Sequence, residues 1–244
     1  MARDRIFADL QSDLEAFVFD ERVTSVFADM VRRSVPGYAT AVAMSGVLAG
    51  RYAQPGSHLY DLGCSLGATT LAMHKHLDQS DCTIIGIDNS QAMIDAAKQA
   101  CLASDDTGAE VRFVCADIRN ELIEDASVVA INYTLQFIPP EDRDALIARI
   151  YSGMRPGGVL ILSEKVIDSD PQASERMTSL YLDFKRANGY SELEISQKRT
   201  ALENVLVPET EEQHMQRLGQ SGFIDITRWF QCLNFSSWIA CKPN

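Results

Sequence analysis

Four short stretches place polar side chains where they can do chemistry. "YDLGCSLG" carries Asp61, Gly63, Cys64, Ser65 and Gly67, and "IDNS" carries Asp88 and Asn89. "ADI" carries Asp117 and Ile118, and "AIN" ends in Asn132. A glycine turn after a strand lets a ligand approach the backbone at a helix N-terminus. A dinucleotide fingerprint would read G-x-G-x-x-G, whereas here the two glycines are four apart, with Ser65 between them. That wider loop suits an adenosine carrying an amino-acid tail better than a pyrophosphate. Asp88 lies 21 residues beyond Gly67, where a carboxylate can accept hydrogen bonds from both hydroxyls of a ribose. Asp117 with a backbone N–H at 118 can frame an adenine edge. Each group has a plainer reading, since glycines tighten any strand–helix corner and Asp and Asn are common at strand ends. Four of them on successive strands are harder to dismiss.

A fifth stretch, "FKRANGYSELEISQKR" (Phe184–Arg199), is polar, has Gly189 near its centre and ends in Lys198 and Arg199. It reads plainly as solvated helix, with Lys185, Arg186, Lys198 and Arg199 interleaved with Glu192 and Glu194. Its functional reading is a cation delivered to a core whose own motifs carry Asp and Asn. An arginine offers a planar fork that matches a carboxylate with two parallel bonds.

The elements that must position these groups follow from periodicity. Residues 22–33 put Val23, Val26, Phe27, Met30 and Val31 on one helical face. Pro36 and Gly37 end that helix, and 39–52 read as a second. Strands in 58–62, 82–88, 110–117, 127–135 and 159–165 alternate with helices in 68–77, 90–102 and 141–154, and "RPGG" (155–158) reads as a turn. Such alternation means βαβ units and a buried parallel sheet. Ligands bind such sheets at the carboxyl ends of the strands, near the topological switch point, where the first four stretches fall. Residues 171–220 read as three helices with no strand, and 223–230 and 232–241 as a closing hairpin. The expectation is a single α/β domain over 1–244. It has a doubly wound, mostly parallel seven-stranded sheet, an antiparallel C-terminal hairpin, N-terminal helices in 1–55 and a helical insertion in 166–221 between strands five and six.

The strand-end residues and the closing hairpin together resemble the class I S-adenosyl-L-methionine (SAM)-dependent methyltransferase fold. A wider set is similar to the carboxy-S-adenosyl-L-methionine synthase family. It comprises "FDERV" (Phe19–Val23), "RSVPGY" (Arg33–Tyr38), "YDLGCSLGATTL" (Tyr60–Leu71), "IDNS", "DIR" (Asp117–Arg119), "TLQF" (Thr134–Phe137), "LSEK" (Leu162–Lys165), "DFKRANGYSELEISQKR" (Asp183–Arg199), "LENV" (Leu202–Val205) and "WFQC" (Trp229–Cys232). The glycine loop is shared with many methyltransferases; the block ending at Arg199 is what discriminates. "ASDDTGA" (Ala103–Ala109) and the first residues of the chain belong to none of these motifs.

The resemblance implies conversion of SAM and prephenate to carboxy-SAM and phenylpyruvate. Carboxy-SAM is then the carboxymethyl donor that a second enzyme uses on a tRNA wobble uridine. It implies SAM contacts at Tyr38, Gly63, Cys64, Ser65, Asp88, Asn89, Asp117, Ile118 and Asn132. It implies Arg199 on the added carboxylate as the catalytic residue, either in its own subunit or across a dimer interface. It also implies a homodimer. No general base is identifiable; hydroxide lost from prephenate is one acceptor for the methyl proton, and Glu164 and Tyr190 are others. The rival readings are a conventional SAM-dependent methyltransferase acting on a small anionic substrate, and a catalytically idle SAM-binding module.

Bulk composition narrows the classes further. The chain has 244 residues, 46% of them hydrophobic, enough for one sizeable core. Its 22 Lys and Arg against 34 Asp and Glu give a net charge of −12, which disfavours tight nucleic-acid binding. The six cysteines form no C-x-x-C pair and the four histidines complete no zinc spacing, so no metal is expected. The N-terminus has scattered charges and no apolar h-region, and no run approaches the ~20 apolar residues of a membrane helix. A cytoplasmic protein without a membrane partner is expected.

Overall fold

The computed structural model describes residues 3–10, 17–78, 81–103 and 108–244. Residues 104–107 of the "ASDDTGA" run, and 1, 2 and 11–16 of the unassigned N-terminus, lie outside the described residues. Two helices lead the chain, α1 (Glu21–Ser34) and α2 (Tyr38–Tyr52). Asp20 caps α1 by accepting the Val23 N–H, and Arg32 and Arg33 lie in its last turn, where a cation suits the helix dipole. Val23, Val26 and Met30 are buried, as the periodicity predicts.

The wound core then runs β1 (His58–Leu62), α3 (Ala68–His76), β2 (Thr83–Asp88), α4 (Gln91–Leu102), β3 (Glu110–Cys115), β4 (Ala126–Asn132), α5 (Pro140–Gly153) and β5 (Met154–Ile167). The insertion holds α6 (Pro171–Ala187), α7 (Glu192–Leu202), the two-residue strand β6 (Glu209–Thr210) and α8 (Glu211–Gln220). The strands β7 (Ile224–Cys232) and β8 (Phe235–Cys241) close the chain. The sheet order is β3-β2-β1-β4-β5-β8-β7, with β1 to β5 parallel and the last two antiparallel. The order reverses between β1 and β4, which places a crevice over their carboxyl ends. Leu59, Val128, Val129, Ala130 and Ile161 are fully buried, as residues of a sheet covered on both faces should be.

Two expectations need correction. The insertion is not free of strand: Val166 and Ile167 pair in parallel with Glu209 and Thr210, so β6 is an eighth strand beside the end of β5. Nor is "RPGG" a turn: it lies within β5. Met154 already pairs with Ala126, the register then shifts, and Gly157, in the left-handed region at φ +72°, carries the chain through the irregularity.

Candidate functional site

The strand ends and the insertion enclose a cavity of about 760 Å³. Tyr38, Gly63, Cys64, Ser65, Asp88, Asn89, Asp117, Ile118, Asn132 and Arg199 all line it, so every residue expected from the sequence meets at one place.

The glycine loop is held by the strand beside it. The N–H groups of Gly63 and Cys64 both donate to the Ile87 carbonyl, at 2.8 and 3.0 Å. Gly63 lies at φ +77°, and a Cβ there would sit 2.2 Å from Thr134 Oγ1, so no other residue fits. Ser65 takes a positive φ of 47° without being glycine, a strained conformation of the kind that collects at functional sites. Its N–H donates to Asp88 Oδ2 at 2.9 Å, and the Ser90 N–H donates to Asp88 Oδ1 at 2.9 Å. Each Asp88 oxygen keeps acceptor capacity for the cavity. Burial pushes this carboxyl up, against the pull of those two N–H groups. Asp61 does not line the cavity. It accepts from Thr70 N at 2.9 Å and Thr70 Oγ1 at 2.7 Å, which ties β1 to the start of α3.

Asp117 accepts from Arg119 Nε, Nη2 and backbone N, and that guanidinium holds its carboxyl below the ordinary range. Asn132 Nδ2 donates to Ser45 Oγ at 3.2 Å and Thr69 Oγ1 at 3.1 Å. Its Oδ1 is buried with no partner among the described residues, an acceptor in want of a donor.

The opposite wall is cationic. Lys165 at the end of β5, Lys185 on α6, and Lys198 and Arg199 on α7 all line the cavity. Sequence reasoning missed Lys165 and Lys185 as site residues. A signal existed for the first: it lies near the carboxyl end of β5, two residues beyond Ser163, which pairs with Asn132. Burial, and then the charges of Lys198, Lys165 and Arg199, push Lys185 down to about 7. Burial pushes Lys198 down to about 8, opposed by Asp4. Arg186 instead pairs with Asp183 and Glu192 in solvent, and Glu194 closes a capping box with Ser191 at the start of α7. The plain reading therefore holds for half of the fifth stretch and fails for the other half. Between the walls, Tyr133 packs against Tyr38 and Phe235, and Tyr181 against Phe235, giving an aromatic floor.

Neither alternative base reaches the cavity. Glu164 is fully buried, with its oxygens accepting the N–H groups of Thr134, Leu135 and Gln136 at 2.8 to 3.1 Å. The Tyr190 hydroxyl donates to Asp4 Oδ2 at 2.7 Å. Among the described residues, no group of three or more His, Cys, Asp or Glu is placed to hold a metal ion. No described helix is long and apolar enough to cross a membrane.

The architecture and the cavity over its switch point define the methyltransferase fold. The family described as "Methyltransferase domain" matches residues 59–158. Human N-acetylserotonin methyltransferase, solved with SAM, superposes with a TM-score of 0.62 at 18% identity, covering 92% of this chain and 56% of that one. Synechocystis magnesium protoporphyrin IX methyltransferase, solved with S-adenosylhomocysteine, gives 0.59 at 17% identity, covering 98% and 91%. At these identities the likeness shows the fold alone. Full-length relatives are more specific. The carboxy-S-adenosyl-L-methionine synthase of a Geobacter species is 54% identical over 98% of both chains, and that of Trichlorobacter lovleyi is 56% identical over 98% of both. The Shewanella oneidensis protein of that name is 51% identical over 99% of both. The chain belongs to the carboxy-S-adenosyl-L-methionine synthase family, and it is an enzyme.

Proposed function

We propose that the enzyme makes carboxy-SAM from SAM and prephenate, releasing phenylpyruvate. The observation that carries this reading is the cationic wall. A methyl-transferring pocket needs no cation near the methyl group, whereas a pocket that adds a carboxylate there does. Arg199 lines the cavity of its own chain and has no ion-pair partner among the described residues. Its assigned role is to hold the new carboxylate. Asp88 is assigned the ribose hydroxyls, Asp117 and Ile118 the adenine edge, and the glycine loop with Tyr38 and Asn132 the methionine part.

The chemistry balances without a protein base. The methyl group beside a positive sulfur is weakly acidic. Loss of carbon dioxide and hydroxide from prephenate aromatises its ring to phenylpyruvate. The hydroxide takes the methyl proton and becomes water, and the resulting ylide carbon bonds the carbon dioxide. Arg199 stabilises the carboxylate as it forms on that carbon. The aromatic floor suits a ring that must lose hydroxide next to a carbanion.

Carboxy-SAM so made serves a second enzyme that modifies a tRNA wobble uridine. The charge of −12 argues against this chain gripping the tRNA itself. A homodimer is inferred from the resemblance, and a single folded domain from the alternation of strands and helices. The test is direct. Purified protein given SAM and prephenate should yield phenylpyruvate and a product heavier than SAM by the mass of carbon dioxide. Accumulation of S-adenosylhomocysteine with an anionic methyl acceptor, and no carboxylated product, would establish a conventional methyltransferase instead.

A further inference from the structure

The cavity holds more positive charge than one new carboxylate requires. Lys165 Nζ lies 4.9 Å from the centre of the Tyr181 ring and Lys185 Nζ lies 4.6 Å from the same point. Lys165 comes from the end of β5 and Lys185 from α6. Neither ammonium has a carboxylate partner among the described residues, although the chain carries an excess of acids. The other buried Lys and Arg side chains among the described residues are matched: Arg143 and Arg217 share Glu209, Arg33 meets Asp29, and Lys198 faces Asp4. The Tyr181 ring is itself fixed, because its hydroxyl donates to the Ser34 carbonyl at 2.9 Å. Two cations held on one ring and left without a counter-ion are a site built for an anion the protein does not supply.

We propose that Lys165 and Lys185, braced on Tyr181, form an anion subsite separate from Arg199, which takes the carboxylate that the co-substrate keeps. This rests on the proposed reaction, in which prephenate brings two carboxylates and phenylpyruvate leaves with one. Arg199 then attends the carboxylate that is transferred, and the lysine pair holds the one on the retained side chain. Two points of charge attachment fix the ring between them, so that the carbon dioxide is released beside the SAM methyl. The arrangement sets specificity for a dicarboxylate with an apolar ring, since the aromatic floor lies next to both cations. Burial leaves both ammonium groups poorly solvated, which makes an arriving carboxylate worth more to them. Lowered proton affinity at both lysines, through burial first and then neighbouring cations, fits a pair of cations that lacks a protein counter-ion.

The test uses the full chain with Lys165→Met, Lys185→Met and the double variant. In carboxy-SAM formation, each single variant should raise the KM for prephenate by about tenfold or more, the factor that ~1.4 kcal/mol of lost pairing corresponds to. SAM affinity by calorimetry should change less than about twofold. Lys185→Arg should recover more than Lys185→Met, because it restores the charge. Product inhibition by phenylpyruvate should weaken in the same variants and persist in Arg199→Ala. An unchanged KM, or SAM affinity falling in step with it, overturns the subsite. A second arm needs no turnover. SAM-loaded protein is titrated with phenylsuccinate, a dicarboxylate, and with phenylacetate, a monocarboxylate. Tighter binding of phenylsuccinate that is lost in both Met variants supports the subsite even if prephenate proves not to be the substrate. Binding that is equal in wild type and variants refutes it.

Discussion

The two walls of the cavity hold their polar groups in opposite ways. On the wall built by β2, β3 and β4 the carboxylates and the Asn132 amide nitrogen are already partnered. Asp88 takes an N–H on each oxygen, Asp117 takes the Arg119 fork, and Asn132 is pinned through its Nδ2 by Ser45 and Thr69. On the cationic wall Lys165, from the end region of β5, and Lys185 and Arg199, from the insertion, face the same space with no ion-pair partner among the described residues. Partnered groups keep their geometry whether or not a ligand is present. They suit the part of the reaction that the methyltransferase fold shares with its relatives. Unpartnered cations raise the energy of the empty protein and fall to their lowest energy only with an anion between them. On the proposed function, the difference puts this family's particular chemistry in charges that the fold tolerates at a cost in stability and that the substrates would neutralise.

The largest effect expected separates the walls by ligand. Arg199→Ala should cost carboxy-SAM about 2–5 kcal/mol, the loss for truncating one partner of a desolvated charge pair. It should leave SAM affinity nearly unchanged. Asp88→Ala should instead weaken both ligands alike, by about 1.5–3 kcal/mol, the range for hydrogen bonds to a charged group. Titration calorimetry with both ligands on both variants reads the four numbers. Equal losses of SAM and carboxy-SAM in Arg199→Ala would make it a scaffold residue and abolish the contrast.

Much of this was legible in the chain because it is carried by long, regular signals. Five apolar strands alternating with helices determine a wound sheet, and the polar residues at their carboxyl ends then have one place to meet. The strand β6 was not legible, because two residues carry no periodicity, and its pairing depends on where α7 delivers the chain. Lys185 could not be told from Arg186 by charge or spacing. The turn of α6 decides that one enters the cavity and the other pairs with Glu192 in water. The role of the N-terminal residues was also hidden. Asp4 has no local pattern around it, yet it is 2% exposed and touches elements far along the chain.

The second prediction concerns the cost of the cationic wall and its pH dependence. Lys185 sits near 7 in the folded protein, whereas an unfolded chain holds lysine near ~10.4. Its folded value is depressed, so between about pH 7 and 10 the unfolded state binds more protons and stability rises with pH. Below about 7 both states are protonated and the whole cost is present. Lys185→Met removes it. The ligand-free variant should melt higher than wild type at pH 6, by about 2–4 °C for each kcal/mol relieved in a domain of this size. The gain should shrink as pH approaches 10. Melting curves across that range check it. A variant that is less stable at every pH would mean that the ammonium is already satisfied, and the two walls would no longer differ in kind.

The smallest effect expected is on α7 itself, which carries Arg199 but is not held only by its own cap. Residues 3–9 lie over the turn between α6 and α7. Arg3 Nη2 donates to the Gly189 carbonyl at 3.1 Å, and Gln197 Nε2 donates to the carbonyls of Phe7 and Asp9 at 3.0 and 2.9 Å. Asp4 is the charged centre of this contact. It accepts from Tyr190, stands 3.6 Å from the Lys198 ammonium, and is joined to α1 through its own N–H to Asp29. Lys198 is the residue next to Arg199, so Asp4 both offsets a buried cation and sets the turn from which Arg199 reaches the cavity. Asp4→Asn keeps the size and removes the charge. Overall stability should fall, as it does whenever a buried ion loses its partner, so melting temperature alone does not test the idea. The informative quantity is the ratio of carboxy-SAM to SAM affinity, which should fall about threefold, or ~0.7 kcal/mol. Adding Lys198→Met should return part of that ratio, because the orphaned charge is gone, and such non-additivity is expected of residues in contact. If Asp4→Asn lowers stability while the ratio stays at the wild-type value, the N-terminal residues only brace the fold, and the placement of Arg199 belongs to α7 alone.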